Sequence, residues 1–402
     1  MSSENVILEI TSGPHSGRTF TFDAHDSLLV GRSGDAHLCI EGDEHISRNH
    51  CLIEVRPPEC HVVDLNSSNG TFVNNERVSD CWLKDGDTIR GGQTQIIVRV
   101  GQDDAFAKTM VEVDIESPTF VPDESAEQIG DYELISELGK GSMGLVYKAR
   151  YVHTDELVAI KVLSPDMKVT EVAQQTFIRE AAILCGLSHK RIVRFIEAGS
   201  SGNQLFTAME FVDAVDYQQI LADLSLGRRV KIAIGLIRQV LDGLEYAHGQ
   251  GLVHRDIKPK NLLVSKDGEK LHARLADFGL AKNFADAGMS QISSEHEIKG
   301  TLSYMAPEQI INSRHAKPAA DIFSVGATLY SLITGQPIYD LSDHSTPLAT
   351  ILNDGPIPIS ERIPELPQAV CRIIDKALAH ETDDRYRSAS DMHAALTKLL
   401  RR

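Results

Sequence analysis

Cysteine pairs with the spacing of a metal or redox motif are missing from this sequence. No two of its six cysteines are separated as Cys-x-x-Cys, the spacing of zinc ribbons and thioredoxin-like sites. Free thiols in a reducing, cytoplasmic environment are therefore the simplest interpretation. The six are Cys39, Cys51, Cys60, Cys81, Cys185 and Cys371.

Long apolar runs and positive charge are also scarce. No stretch approaches the ~18 apolar residues that read as a membrane span, and the start MSSENVILEI lacks the basic and apolar regions of a signal peptide. The chain has 40 Lys and Arg against 57 Asp and Glu, a formal net charge of −17. Nucleic acids and anionic membranes both attract clustered positive charge, so neither is an expected partner.

The length of 402 residues allows two or three domains. Residues 1–100 contain short apolar runs separated by turn signals such as Asn69-Gly70, which predicts an all-β sandwich. Residues 101–131 hold nine acidic residues, one lysine and two prolines, a composition typical of an extended linker. Three domains or segments are therefore expected: 1–100, 101–131 and 132–402.

The third segment changes its periodicity along the chain. Residues 132 to about 164 contain three predicted strands, whereas Ile232, Leu236, Val240 and Leu244 form the apolar stripe of an amphipathic helix. A small β part followed by a larger helical part predicts a two-lobed α+β domain.

A glycine-rich segment, GKGSMG, lies between two predicted strands at 139–144. Glycine lets the backbone approach phosphates closely because no Cβ intervenes. A dinucleotide-binding loop would open a helix instead, which the strand after Gly144 contradicts. Taken alone, the segment is equally compatible with a flexible hairpin.

A lysine follows an apolar strand at Val158–Lys161. Burying its ammonium group is costly without a partner, and Glu180 on the next predicted helix is the candidate. Considered singly, Lys161 could instead extend to solvent at a sheet edge, and Glu180 could belong to a solvated helix face.

Four polar residues further along could perform chemistry together. Asp256 can accept a hydroxyl proton, and Lys258 can neutralise a phosphoryl group during transfer. Asn261 and Asp277, the latter in Asp-Phe-Gly, offer oxygen atoms to a metal.

Found in this order, the motifs resemble those of the eukaryotic-type protein kinases, a family also present in bacteria. The resemblance covers the chain from about Tyr132 to its end and implies an ATP-dependent kinase using Mg²⁺, or alternatively Mn²⁺. It implies Asp256 as the base, Lys258 as a sign of serine/threonine specificity, Asn261 and Asp277 as metal ligands, and Glu180 as the partner of Lys161. The implied nucleotide-binding residues are Leu138, Gly139, Gly141, Gly144, Val146, Ala159, Lys161, the backbone of Glu210 and Val212, and Leu263, with Met209 as gatekeeper.

The same resemblance implies structural roles for Asp321 and for an Arg385–Glu308 pair, and places Thr301 near the catalytic aspartate. The alternative is a catalytically silent kinase fold that serves as a phosphopeptide-binding scaffold. The presence of Lys161, Asp256, Asn261 and Asp277 together favours an active enzyme.

The N-terminal segment resembles the forkhead-associated (FHA) family through Gly31-Arg32, the run at 47–50 (SRNH) and the run at 67–71 (SSNGT). Each could be ordinary by itself: Ser47 in a turn, His50 in a core, Asn69-Gly70 in a hairpin. A phosphate dianion needs a guanidinium and several hydroxyl or amide donors. The resemblance implies phosphothreonine peptides as ligands, bound through Arg32, Ser47, Arg48, Ser68 and Asn69, with structural roles for Gly31 and His50.

Two sets of phosphorylation sites follow as hypotheses. Ser293 and Ser294 lie in the activation segment of the resembled family, and Thr109 and Thr119 lie in the linker. Nine residues from Val100 to Thr109 span at most ~30 Å. The resemblance places the binding loops opposite the termini of the domain, so phosphorylated Thr109 would reach a partner chain more easily than its own domain. This would permit self-association, whereas Thr119 has enough chain to dock in cis. The alternative is that both threonines are inert linker residues.

Overall fold

The computed structural model describes residues 5–23, 26–34, 36–101, 128–141, 144–163, 181, 184–202, 204–278, 302–311, 316–341 and 347–401. Two compact units are present, one with the N-terminal strands and one with the helices described below. The predicted fold class, an all-β sandwich followed by a two-lobed α+β domain, is confirmed. The predicted residues Glu180, Thr301, Ser293, Ser294, Thr109 and Thr119 lie outside the described ranges.

Among the described residues up to Gly101, eleven strands form two sheets. One sheet has the order β2-β1-β11-β10-β7-β8 and the other β4-β3-β5-β6-β9. The strands are β1 Asn5–Ser12, β2 Thr19–Phe22, β3 Asp26–Gly31, β4 Leu38–Cys39, β5 Cys51–Arg56, β6 Glu59–Asp64, β7 Thr71–Val73, β8 Glu76–Val78, β9 Asp80–Leu83, β10 Thr88–Gly91 and β11 Thr94–Gly101.

Alternation along the strands explains why these sheets face each other. In β1, Val6, Leu8 and Ile10 are buried while the residues between them are half-buried. A period of two places alternate side chains on one face, and that face buries its apolar groups against the other sheet. β1 and β11 pair antiparallel, with Leu8 opposite Val98.

A second six-stranded sheet has the order β12-β13-β14-β15-β17-β16. Each of the three strands predicted between residues 132 and 164 coincides with one of its members. Its strands are β12 Gln128–Ile129, β13 Tyr132–Gly141, β14 Gly144–Tyr151, β15 Leu157–Leu163, β16 Phe195–Ser201 and β17 Gln204–Glu210.

The helical part surrounds one apolar core. Its helices are α1 Tyr217–Ala222, α2 Leu226–Gly249, α3 Pro307–Ile311, α4 Pro318–Thr334, α5 Pro347–Ala349, α6 Ile359–Arg362, α7 Gln368–Ala377 and α8 Ala389–Leu400, with a hairpin of β18 Leu262–Asp267 and β19 Lys270–Leu275. Leu236, Val240 and Leu244 of the predicted stripe are buried on α2. α4 is buried on nearly all sides and ends at Gly335, whose φ of 72° is the left-handed conformation favoured after a helix.

None of the helices in the described ranges combines the length and apolarity that crossing a membrane would require.

Candidate active site

The segment between α2 and β18 brings three predicted side chains together. Asp256 Oδ2 accepts a hydrogen bond from Asn261 Nδ2 at 2.8 Å and lies 3.0 Å from Lys258 Nζ. Asn261 Nδ2 also lies 2.7 Å from the Asp256 carbonyl. Because the amide nitrogen of Asn261 is engaged in this way, its Oδ1 is the atom that can face a cation.

His254 forms the frame behind Asp256. Its backbone N–H donates to Asp321 Oδ2 at 2.8 Å, and its Nε2 lies 3.0 Å from the Ala276 carbonyl. A carbonyl only accepts, so Nε2 carries the proton and Nδ1 accepts from the Asp256 N–H at 3.3 Å. Complete burial lowers the pKa of His254, an effect that the nearby Asp321 opposes. The imidazole is therefore a neutral support and not a proton carrier.

Asp277 contacts Lys161 directly. Lys161 Nζ lies 2.8 Å from Asp277 Oδ2, and both side chains are largely buried. Lys161 is on β15, opposite Thr207 of β17, whereas Asp277 has a φ of 58° just after β19. Phe278 then turns inward, with its ring centroid 4.5 Å from that of His254. The pairing predicted between Lys161 and Glu180 stays a prediction, because Glu180 is outside the described residues.

Two glycines of the 139–144 segment have different surroundings. A Cβ on Gly144 would lie 1.8 Å from the Val162 carbonyl oxygen, and the residue has a φ of +143°. No other residue fits there without moving a strand. Among the described residues, no atom lies within 4 Å of a Cβ placed on Gly139. The space beside Gly139 is therefore open, as a phosphate-binding loop requires.

A small apolar cluster lies next to these charged groups. Val193, Val212 and Ala276 are buried together, with Met209 and Leu263 packed against them. Strand pairing places Ala159 opposite Met209. The Glu210 carboxylate lies 3.1 Å from the Arg274 guanidinium. The backbone N–H of Glu210 donates to the Arg194 carbonyl. The cluster provides an apolar surface of the kind on which a purine ring packs.

Two further residues predicted to contact the nucleotide flank the glycine-rich segment. Leu138 is 48% exposed, and Val146 is half-buried.

The donor set suits a hard divalent cation. Asn261 and Asp277 offer amide and carboxylate oxygens, which Mg²⁺ prefers. Across the described residues, no group of three or more His, Cys, Asp or Glu is placed to hold a metal by itself. Mg²⁺ usually binds through one or two protein oxygens and the phosphates of its nucleotide, and this site fits that arrangement.

Arg385 anchors the helices beneath the site. All five of its N–H groups are used: two bind the Glu308 carboxylate at 2.6 and 2.9 Å, and three bind the carbonyls of Ala319, Ala379 and His380. Glu308 belongs to α3, so this side chain fixes the start of that helix.

A second cluster of predicted residues lies on loops of the N-terminal unit. Ser47 Oγ accepts from the Ser68 N–H at 2.9 Å, and Asn69 Nδ2 donates to the His45 carbonyl at 2.8 Å. Arg32 donates its N–H to the Ser47 carbonyl at 3.0 Å. The side chains of Arg32 and Arg48 are exposed. Hydroxyl and amide groups therefore lie together on these loops, which also carry the exposed Arg32 and Arg48.

Gly31 and His50 support these loops from below. A Cβ on Gly31 would lie 2.0 Å from the Arg48 carbonyl oxygen. His50 is completely buried, and its Nδ1 accepts from the Ser47 N–H at 3.1 Å. Both residues thus fix the backbone that presents Ser47 and Arg48.

Two contacts of the active site carry no sequence signal. Tyr217 Oη donates to the Pro259 carbonyl at 2.9 Å, and Gln309 Nε2 donates to the Arg255 carbonyl at 3.0 Å. Each joins residues more than forty positions apart. Only knowledge of the tertiary fold could have identified them.

Comparisons with known proteins agree with this geometry. The family model "Protein kinase domain" matches residues 132–397, and the model "FHA domain" matches residues 28–92. The chain is 34% identical over 266 residues to the probable serine/threonine-protein kinase PknB of Lactococcus lactis, covering 65% of this chain and 40% of that protein. It is 32% identical over 272 residues to the serine/threonine-protein kinase PknH of Mycobacterium bovis, covering 67% and 44%. The matches thus span less than half the length of these relatives.

Solved structures show the same fold. The crystal structure of the Mycobacterium tuberculosis PknI kinase domain aligns with a TM-score of 0.51 and 26% identity, covering 67% of this chain and 97% of that one. A Rad53 fragment solved with AMP-PNP aligns over 98% of this chain and 100% of its own length, with a TM-score of 0.52 and 22% identity. The chain therefore belongs to the protein kinase family, with bacterial serine/threonine-protein kinases among its relatives and an FHA domain in its N-terminal region.

Proposed function

We propose that this protein transfers the γ-phosphoryl group of ATP to serine and threonine hydroxyls of proteins, with Mg²⁺ as the metal. Two groups of short side-chain contacts carry the proposal. Asp256 contacts both Lys258 and Asn261, and Lys161 contacts Asp277, all at 2.8 to 3.0 Å. These groups come from separate parts of the chain, and their side chains match the parts of a phosphoryl-transfer site.

Each side chain has a role that its contacts support. Two donors hold the Asp256 carboxylate in one orientation. From there it orients the acceptor hydroxyl and takes its proton. Lys258 adds positive charge where the phosphoryl group moves. Lys161 holds the α- and β-phosphates, and Asn261 and Asp277 would hold a divalent cation. That cation, when bound, neutralises charge on the phosphate oxygens.

Changing Lys161 to Met should lower kcat/KM for ATP by about 100-fold, the cost of losing one preorganised charged donor. The chain should remain folded, since methionine matches the length of the lysine stem. The measurement is transfer of labelled phosphate from Mg·ATP to a serine/threonine peptide mixture. Lys270→Met, at an exposed position of the β18–β19 hairpin, is the matched control. Equal activity of Lys161→Met and wild type would contradict the proposed role.

The N-terminal module supports a second part of the proposal, the recruitment of phosphothreonine-containing partners. Ser47 Oγ accepts from the Ser68 N–H, and the Asn69 amide donates to the His45 carbonyl. The exposed Arg32 and Arg48 lie on the neighbouring loops. A phosphate dianion would meet hydroxyl, amide and guanidinium donors at once. One such ligand is the chain's own linker phosphorylated at Thr109 or Thr119, which would also permit self-association.

Arg48→Ala should weaken phosphothreonine-peptide binding by about 10- to 100-fold, since a hydrogen bond to a charged group contributes about 1.5–3 kcal/mol. Fluorescence anisotropy of the full chain with a degenerate phosphothreonine library measures this. Arg99→Ala removes an exposed guanidinium from β11 and should leave affinity unchanged. An unaltered affinity of Arg48→Ala would exclude this site.

A phospho-Thr109 peptide spanning residues 104–114 tests the linker version in the same assay, and no binding there would remove it. Phosphosite mapping after incubation with Mg·ATP tests the activation-segment hypothesis for Ser293 and Ser294. A chain in which both serines are alanine should be less active than wild type if that hypothesis holds.

A further inference from the structure

Gln309 joins the start of α3 to the loop that carries the catalytic aspartate. It is only 2% exposed. Its Oε1 accepts from the Ala306 N–H at 3.2 Å, and its Nε2 donates to the Arg255 carbonyl at 3.0 Å. One amide group therefore contacts two segments that are about fifty residues apart in the sequence.

The contact with Ala306 is an ordinary helix cap. Pro307 opens α3, and Gln309 is its third residue, so the side chain reaches back to the N–H that precedes the helix. Glutamate serves this purpose as well as glutamine, because the cap needs only an acceptor. The cap alone thus gives no reason for an amide at this position.

The contact with Arg255 does require the amide. The Arg255 carbonyl is part of the peptide group that leads into Asp256, and only a donor can bind it. The N–H of the same peptide group donates to His254 Nδ1 at 3.3 Å. Gln309 therefore binds the carbonyl, and His254 binds the N–H, of the peptide group that joins Arg255 to Asp256.

This peptide group needs such support because Arg255 has a φ of 66°. Left-handed backbone is uncommon for residues other than glycine and persists where surrounding contacts determine it. The Arg255 N–H donates to Asp321 Oδ1 at 2.8 Å. Bonds to the N–H and the carbonyl of Arg255 thus fix its conformation from both sides.

We propose that Gln309 is a positioning residue for Asp256, acting through the Arg255–Asp256 peptide group. The inference rests on the proposed kinase function for its effect on rate. It also predicts a change in backbone protection that does not depend on activity.

Gln309→Glu separates the two contacts, because glutamate keeps the cap and loses the donor whenever its carboxyl group is ionised. At pH 8.5 we expect kcat to fall about tenfold with KM for ATP unchanged, within the ~100-fold that misplacing a catalytic group can cost. As pH falls toward 6, protonation restores a donor, so the ratio of variant to wild-type kcat should rise. Since position 309 is only 2% exposed, ionisation of the new carboxylate should also lower the melting temperature at pH 8.5, and less so near pH 6.

Gln309→Met is the companion variant, since it removes both contacts at similar volume. Its kcat should be low at every pH, without the rise seen for glutamate. Hydrogen exchange of full-length protein, read on peptides covering residues 252–257, should be faster in both variants than in wild type.

The outcomes separate clearly. A Gln309→Glu kcat ratio that is flat with pH and near one, with unchanged exchange, would overturn the inference and leave a helix cap only. A wild-type chain without phosphoryl transfer would overturn the proposed function. In that case faster exchange at residues 252–257 supports the positioning contact, and unchanged exchange refutes it.

Discussion

Asp256→Asn should lower kcat for phosphoryl transfer by about 10²- to 10⁴-fold, the usual contribution of a general base. The amide of asparagine occupies the same volume but cannot take the hydroxyl proton. It would also place an NH₂ group or a neutral oxygen before Lys258 and Asn261, both of which donate to Asp256 Oδ2. ATP binding should be retained, because the substitution leaves Lys161 and Asp277, which pair with each other, unchanged.

The measurement is steady-state transfer to a peptide substrate, with KM for ATP determined in parallel. Asp267→Asn is the matched control, since it removes an exposed carboxylate at the end of β18. Phosphate incorporation at an equal rate in wild type and Asp256→Asn would mean that another residue is the base or that a contaminating kinase acts.

Arg385→Met should destabilise the helical part by about 3–5 kcal/mol, the cost of breaking a buried ion pair from one side. The variant leaves the Glu308 carboxylate without its partner and three backbone carbonyls without their donor. Glu308 is 30% exposed, so water can recover only part of this loss. Urea unfolding followed by far-UV circular dichroism at 222 nm measures the helical signal.

Glu308→Gln and the double variant complete a cycle for this pair. The double variant should lose less than the sum of the two single losses, because it leaves no unpaired charge. Trp82, the single tryptophan of the chain, reports on the N-terminal unit through its fluorescence. Its unfolding midpoint should not move, which separates a local effect from a general one. An additive cycle would show that the ion pair contributes nothing beyond its separate groups.

The fold could be predicted because periodicity is a local property. The alternation of Val6, Leu8 and Ile10 and the four-residue spacing of Leu236, Val240 and Leu244 require no tertiary information. The amphipathic helix predicted from the stripe between Ile232 and Leu244 lies within α2, Leu226–Gly249.

The sequence predicted which residues belong to the site, but not most of the contacts between them. Asp256, Lys258 and Asn261 are neighbours in sequence, and their mutual contacts follow from one short loop. The contact of Lys161 with Asp277 spans 116 positions, and that of Gln309 with Arg255 spans 54. Such contacts depend on how separate elements pack, and no local residue pattern predicts them. The Val162 carbonyl leaves room only for glycine at 144, a packing constraint that the spacing of the glycines does not show.

The pairing of β1 with β11 has a consequence for how the N-terminal module can be reused. Asn5 lies opposite Gly101, so the polypeptide enters and leaves the sandwich at neighbouring positions on one sheet. A module with adjacent ends can be inserted into a host chain or exchanged between chains without displacing the flanking segments. The sandwich is therefore a transplantable unit, and moving residues 5–101 onto another carrier would keep the terminal Asn5–Gly101 pair intact.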